Sequence, residues 1–354
     1  MDRATVEIYE ASARHYAERR KAQQPERTEA FAAALAPGAI RVDLGCGPGL
    51  HLPLLGTPVV AVDAAAAMLD VVGEAAPYAL RVRADLEHVP LRRGSVAGVW
   101  ASKSHQHVPA ERLPLALAEL HRILAVGGRL ELALFRGDGD WISDDDLPGR
   151  YFAWWQPDAL ADVLVGAGFL VDELVVTGSH GRLVVTATRA RTLADIVGPG
   201  MRQLVCGLNP SLYAADVGVG FARPGNRFWP ALAAAGRTGV DRDPLRLLGE
   251  HHIGMTDLVK RATVAAAELT AEEYRDGLAR VERLVHRLRP AAVCFVGLAG
   301  WRAAVDRRAT AGVQPGDLGG APVYVMPSTS GLNTHATVAG LAAHLQAATG
   351  LASR

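Results

Sequence analysis

Short apolar runs alternate with longer segments of mixed polarity along the whole chain, and they do so in two rounds. In the first round "AIRVDLG", "TPVVAVD", "SVAGVWAS", "GRLELALF" and "GRLVVTATRA" read as strands, bounded by glycine, proline and polar clusters. In the second round "MRQLVCG", "AAVCFVG" and "VYVMPS" do the same. Helix-like stretches lie between them, and one opens the chain: "MDRATVEIYEASARHYAERR" is polar and has no apolar leader core. Strands alternating with helices predict α/β layers, here two three-layer αβα domains. There is no short-period repeat. The Arg-rich "TRARTLADIVGPG" separates the rounds and sets the expected domains at residues 1–191 and 192–354.

Composition sharpens this picture only a little. The chain has 354 residues, enough for two ordinary domains, and 49% of them are hydrophobic, so both cores can be large. Formal net charge is zero, but it divides unevenly. Residues 1–191 hold 20 Lys+Arg against 24 Asp+Glu, and residues 192–354 hold 17 against 13. The second half is therefore mildly basic, which suits a phosphate backbone. Three scattered cysteines, Cys46, Cys206 and Cys294, read as reduced buried thiols and exclude a four-cysteine metal centre within one chain. No apolar run is long enough to span a membrane, so a soluble cytoplasmic protein is expected.

The first chemical motif is "VDLGCGPGL": a strand, an acid (Asp43), then Gly45, Gly47 and Gly49. Glycines let the backbone turn tightly and approach a ligand, and a helix N-terminus should follow. The dinucleotide fingerprint needs a further glycine where Leu50 stands. This motif resembles that of class I S-adenosylmethionine-dependent methyltransferases instead. The resemblance runs over about residues 5–190 and implies a Rossmann-like methyltransferase sheet. It implies that Asp63, at the tip of "TPVVAVD", accepts both ribose hydroxyls of S-adenosylmethionine, and that Asp85 meets the adenine amine. His105 and His107, at the end of a strand, read first as hydrogen-bonded structural histidines and second as contacts of the methyl acceptor, whose identity the sequence does not give. The acidic "DGDWISDDDL" reads as a solvated loop.

The second motif is "CGLNPS", where a buried strand ends in an Asn that is costly to leave unpaired. "FARPGNRFWPAL", "HHIGMTDLVKRAT", "AAVCFVG" and "VYVMPSTSGLN" follow in order. Together they resemble the mismatch-specific uracil/thymine-DNA glycosylases of the uracil-DNA glycosylase superfamily, over essentially all of residues 192–354. The family's G-I-N-P-G appears here as Gly207-Leu208-Asn209-Pro210-Ser211. The resemblance implies a uracil-DNA-glycosylase-like sheet in which Asn209 holds the attacking water, while Phe221 stacks on a base swung out of the duplex. Gly207, Leu208, Ser211 and Ala214 would line the base pocket, and Asn226 would pin the Phe221 loop. "NRFW" itself reads as packing. Ser328, Ser330, Gly331, Leu332 and Asn333 would form a wedge and phosphate-contact loop, with Lys260 and Arg261 also on phosphates.

The reading as a whole is a fusion. It joins an S-adenosylmethionine-dependent methyltransferase to a base-excision glycosylase for double-stranded DNA with G·U or G·T mispairs, acting at the bacterial nucleoid without metal. The small Ser211 predicts a pocket open at C5, with uracil preferred over thymine. His251 and His252 read as surface or strand-edge residues. The alternative is a small-molecule methyltransferase whose second domain is inactive or only binds mismatches.

Overall fold

The structure, a computed structural model, describes residues 1–178 and 181–352. The chain divides into two compact units, one of residues 1–165 and 169–190 and the other of residues 166–168 and 191–354.

The strands of the first unit are β1 (Arg41–Leu44), β2 (Val59–Asp63), β3 (Leu80–Arg83), β4 (Val96–Ser102), β5 (Leu124–Phe135), β6 (Asp140–Ile142), β7 (Tyr151–Ala153), β8 (Phe169–Thr177) and β9 (Arg182–Arg189). Seven of them form one sheet in the order β3-β2-β1-β4-β5-β9-β8, and β6 pairs with β7 as a separate hairpin. Every residue of β1 and β2 is buried, as suits parallel strands covered on both faces. β9 runs antiparallel to both β5 and β8 and turns the end of the sheet. The chain moves outward from β1 to β3 and then returns to β4 on the other side of β1. That reversal opens a crevice at the carboxyl ends of β1 and β4, where α/β sheets place their ligands.

The second unit contains β10 (Gln203–Gly207), β11 (Ile253–Asp257), β12 (Val293–Val296), β13 (Gly312–Leu318) and β14 (Ala321–Met326), in the order β11-β10-β12-β14-β13. The first four are parallel, and β13 closes one edge antiparallel. Alternate residues serve opposite faces. Leu204, Cys206, Val293 and Phe295 pack with Val281, Val285 and Leu288 of the helix Ala271–Leu288. Val205, Cys294, Tyr324 and Met326 pack with Phe228, Leu232, Leu341 and Leu345 from the helices Phe228–Ala234 and Val338–Leu351. The result is three layers. The helix Ala271–Leu288 starts where "LTAEEY" supplies a reciprocal cap: Thr270 Oγ1 accepts from the Glu273 amide while Glu273 accepts from the Thr270 amide. Here too the strand order reverses, between β10 and β12, and the segment after β10 begins with Leu208 and Asn209.

Among the described residues no helix is long and apolar enough to cross a membrane, and no group of three or more His, Cys, Asp or Glu side chains could hold a metal ion. All three cysteines are free and buried.

Candidate functional sites

In the first unit the loop after β1 is built by glycine. Gly45, Gly47 and Gly49 all have positive φ, at 73°, 53° and 81°, a region that residues with a Cβ avoid. A Cβ on Gly45 would also lie 2.1 Å from the Ser104 Cβ, so this turn is packed against the segment after β4. Asp63, at the tip of β2, ties the loop: Oδ2 accepts from the Gly47 amide at 2.8 Å and Oδ1 from the Ala65 amide at 2.9 Å. Asp43 is buried, and its Oδ2 has no hydrogen-bond partner. Burial, and then the neighbouring Asp63, push its pKa up to about 8. Burial raises Asp63 as well. Two carboxyls driven toward neutrality at a strand switch point can be relieved by a ligand that brings cationic and hydroxyl groups.

These residues line an open cleft, together with Met68, Leu86, Tyr9 and Tyr16. Asp85 is not among the lining residues; its carboxylate accepts the Met1 ammonium at 3.1 Å and 3.2 Å. Leu86 borders the cleft in its place.

The two histidines are less available than their sequence position suggests. Both lie in the short 3-10 turn His105–His107 and are buried. His107 is held at both ring nitrogens, by the Tyr151 carbonyl at 2.7 Å and the Tyr9 hydroxyl at 3.1 Å. His105 contacts Ser104 Oγ through Nδ1, and its Nε2 is buried without a partner. Burial holds their pKa values down, to about 3 for His105 and about 4 for His107. Of the two readings, the structural one fits His105, which is buried and does not border the cleft, and His107, though it borders the cleft, has no free ring nitrogen to offer. The acidic loop faces solvent, with Asp144, Asp145 and Asp146 exposed, and two of its carboxylates also pair with cations, Asp145 with Arg150 at 2.6 Å and Asp146 with Arg20 at 2.7 Å.

In the second unit the Asn209 amide is locked by its surroundings. Nδ2 donates to Thr263 Oγ1 at 2.8 Å and to the carbonyls of Arg261 and Pro210 at 3.0 Å and 3.2 Å. Two of those acceptors are carbonyls, which can only accept, so the NH₂ must lie on that side and Oδ1 on the other. Phe221 has φ of 57°, a conformation rare for a side-chain-bearing residue. Its ring stacks on Phe228 at 4.2 Å, and Phe228 is fully buried. Asn226 Oδ1 accepts from the Phe228 amide at 2.9 Å, so it fixes the backing ring rather than the Phe221 loop itself.

Asp257 is a residue that the sequence reading passed over. It ends β11 directly opposite Gly207 of β10. A Cβ on Gly207 would lie 2.5 Å from Asp257 Oδ1 and 3.2 Å from Phe221 Cζ, so the bare glycine admits a carboxylate and a ring edge to one spot. Asp257 is 9% exposed, and burial pushes its pKa up to about 6 against the nearby cations Lys260 and Arg280. An apolar strand ending in an acid was the available signal, the same one that marks Asp63.

Leu332 is 87% exposed at the tip of its loop. The loop below it is braced. Asn333 Nδ2 donates to the Ser328 carbonyl at 2.8 Å, and the Ser330 and Leu332 amides donate to Ser328 Oγ and Ser330 Oγ at 3.3 Å each. Arg227, read earlier only as packing within "NRFW", donates from its guanidinium to the carbonyls of Ser330, Asn333 and Ala336. Gly331 passes close to the Gly225 carbonyl, 3.0 Å from where a Cβ would sit. Phe228 and Trp229 are buried packing residues.

Other expected contacts lie elsewhere. Lys260 is not on the surface: Nζ pairs with the buried Asp195 at 2.8 Å and the side chain is 11% exposed. Asp195 also binds Arg280 at 2.7 Å. A buried ion cluster, not a phosphate, therefore holds Lys260. Arg261 pairs with Glu273 at 2.6 Å. Leu208 packs its side chain on the core under the helix Ala271–Leu288, and its carbonyl accepts from the Val259 amide at 2.9 Å. Ser211 caps the helix Leu212–Val217, its Oγ accepting from the Ala214 amide at 3.2 Å, and Ala214 is buried.

Comparison with known proteins agrees with this division. Residues 42–132 match a family model described as a methyltransferase domain, and residues 194–348 match one described as the uracil DNA glycosylase superfamily. The chain thus contains a methyltransferase domain and a uracil DNA glycosylase superfamily domain. Solved structures similar to the first include 1,6-didemethyltoxoflavin-N1-methyltransferase from Burkholderia thailandensis, with bound 1,6-didemethyltoxoflavin and S-adenosylhomocysteine. It is 20% identical, with 47% of this chain and 78% of that one covered and a TM-score of 0.40. The CcbJ methyltransferase from Streptomyces caelestis is 18% identical, with 54% and 100% covered and a TM-score of 0.45. An S-adenosylmethionine-dependent methyltransferase from Clostridium acetobutylicum is 12% identical, with 48% and 93% covered and a TM-score of 0.40.

Proposed function

We propose that the second unit is a DNA glycosylase releasing uracil from G·U mispairs, with weaker action on thymine, and that the first unit binds S-adenosylmethionine as methyl donor. The observation that carries the glycosylase reading is the Asn209 amide. It is fixed at its NH₂ side by Thr263 and two carbonyls, so that Oδ1 is the atom offered outward.

The other residues supply the remaining parts. Phe221, backed by Phe228, offers a flat face on which an extruded base can stack. Leu332 protrudes far enough to fill the gap that the base leaves. Water held by Asn209 adds through its oxygen to the sugar C1′, and the bond from C1′ to the base nitrogen breaks with its electron pair going to the base. Asn209 cannot take the proton that water releases, whereas Asp257 at about 6 is ionised at neutral pH and can. Ser211 and Ala214 are small, which leaves room for a C5 substituent. A methylated base is a poorer leaving anion, so uracil leads. A G mispair opens more cheaply than a good A·U pair, so A·U is the weaker substrate.

For the donor, Asp43, with its unpartnered buried oxygen, and Asp63 match a ligand that carries an ammonium, a sulfonium and two ribose hydroxyls. The Gly45–Gly49 turn lets the backbone approach it. S-adenosylmethionine supplies an electrophilic methyl group; the residues of this cleft bind and orient it.

The test is single-turnover base release from a G·U duplex. Asn209→Ala should bind the duplex normally and release uracil about 10²–10³-fold more slowly. Release at the wild-type rate would place the water elsewhere.

A further inference from the structure

A second cleft in the first unit adjoins the proposed donor cleft and shares Tyr9, Tyr16, Arg20, Gln23 and Lys103 with it. It is an open cleft of about 860 Å³. Its far wall is aromatic: Phe135, Phe152, Trp141 and Trp154. Trp141 comes from the β6–β7 hairpin and lies 5.2 Å from Phe152 and 6.2 Å from Trp154, centre to centre. Both indoles remain partly exposed, at 37% and 38%. Trp154 lies against the bare Cα of Gly137, where any Cβ would stand 1.9 Å from Trp154 Cε3. The two indole planes are inclined at 57°, so they form an aromatic corner that can stack on a planar ring with one indole and meet its edge with the other.

The near wall is cationic, and its charge is uneven. Arg150 and Arg20 are neutralised by Asp145 and Asp146. Lys103 and Arg182 are not: both donate to one neutral acceptor, Gln23 Oε1, and neither pairs with a carboxylate among the described residues. Lys103 follows β4 with φ of 61° and donates its amide to the Ala133 carbonyl at 3.0 Å. This left-handed turn, unusual for lysine, sets Nζ where the two clefts meet, 5.9 Å above the Phe135 ring.

We infer that this second cleft is the methyl-acceptor site and that it takes a small planar aromatic anion, its ring against Trp141 and Trp154 and its charge on Lys103 and Arg182. The inference rests on the donor reading above and adds the acceptor class to it. Burial, followed by the charges of Arg182 and Arg20, lowers the Lys103 pKa to about 8, as expected for a cation lacking a counter-charge. The acceptor's anionic oxygen or nitrogen forms a bond to the donor methyl carbon as the methyl–sulfur bond breaks, and that electron pair goes to sulfur. The negative charge of the acceptor and the positive charge of the sulfonium cancel, so the product leaves neutral and no longer suits the cationic wall.

Calorimetry on the full chain tests this. S-adenosylhomocysteine is titrated first, and then 1-naphthoate or the neutral 1-naphthamide is added at saturating S-adenosylhomocysteine. The carboxylate should bind at least tenfold more tightly than the amide. Arg182→Gln, which is outside the donor cleft, should keep S-adenosylhomocysteine affinity and lose most of that preference. Trp154→Ala should weaken both probes about equally. Equal affinity for the two probes, binding of neither while S-adenosylhomocysteine binds, or an unchanged preference in Arg182→Gln would overturn the inference. Absence of S-adenosylhomocysteine binding in the first titration would instead overturn the donor reading, and the acceptor assignment with it.

Discussion

The two units build their sites in opposite ways from similar sheets. In the first, the strand switch point is emptied: three glycines in left-handed turns withdraw side chains, and what remains is a cleft with two buried carboxyls. In the second, the switch point is equipped: an amide held by three acceptors and a ring on a ring stand with a buried carboxylate and an exposed leucine on a braced loop. On the functions proposed above, the difference follows from where the reactivity would reside. A sulfonium donor brings its own electrophile, so a protein that binds it needs mainly shape and counter-charge. Base removal from DNA brings no such help, so a protein that performs it must supply the wedge, the stack and the water.

If the second site depends on an equipped strand tip, Asp257 should matter most. Asp257→Asn should slow single-turnover base release by about 10²–10⁴-fold. The wild-type rate should rise about tenfold per pH unit up to about 6 and then level off, because the carboxyl accepts a proton only once it has lost its own. Burial sets this value; of the nearby charges Lys260 and Arg280 lower it and Asp195 raises it. The Asn variant should lack the step, and a wild-type profile flat from pH 5 to 8 would remove Asp257 from the reaction.

The next effect is on stability. Asp195→Ala strands Lys260 and Arg280 as buried cations and should destabilise the second unit by about 3–5 kcal/mol, read by denaturant unfolding. A loss near zero would return Lys260 to the surface and to phosphate contact. For the emptied site, Asp63→Ala should weaken S-adenosylhomocysteine by roughly 1.5–3 kcal/mol in calorimetry, since it removes an acceptor that also ties down the Gly47 and Ala65 amides. Equal affinity would separate the cleft from the donor. The smallest effect is on folding by Leu332→Ala: within about 0.5 kcal/mol of wild type, because the side chain is almost wholly exposed, while base release still slows.

Much of this was legible in the sequence because some residues report on their own backbone. Gly45, Gly47 and Gly49 announce a turn that other residues avoid, and the order of Asp43 and Asp63 along two apolar strands follows from the alternation itself. Asn209 stood out because a buried strand rarely ends in an amide followed by proline. What was hidden depended on partners distant in sequence. Lys260 looks like a surface cation until Asp195, 65 residues away, is brought to it. Arg227 looks like part of a packing motif until its guanidinium meets the carbonyls of Ser330 and Asn333, more than 100 residues on. His105 and His107 sit at a strand end, as site residues do, but a 3-10 turn buries them. The second cleft combines Tyr9, Lys103, Trp154 and Arg182, which no local pattern connects.

The most direct measurement of the central claim is base release by the full chain from otherwise identical duplexes carrying G·U, G·T and A·U, at enzyme in excess over DNA. Abasic sites should form fastest at G·U, more slowly at G·T and slowest at A·U. Duplex binding without any abasic product, or A·U cut as fast as G·U with G·T refused, would contradict it.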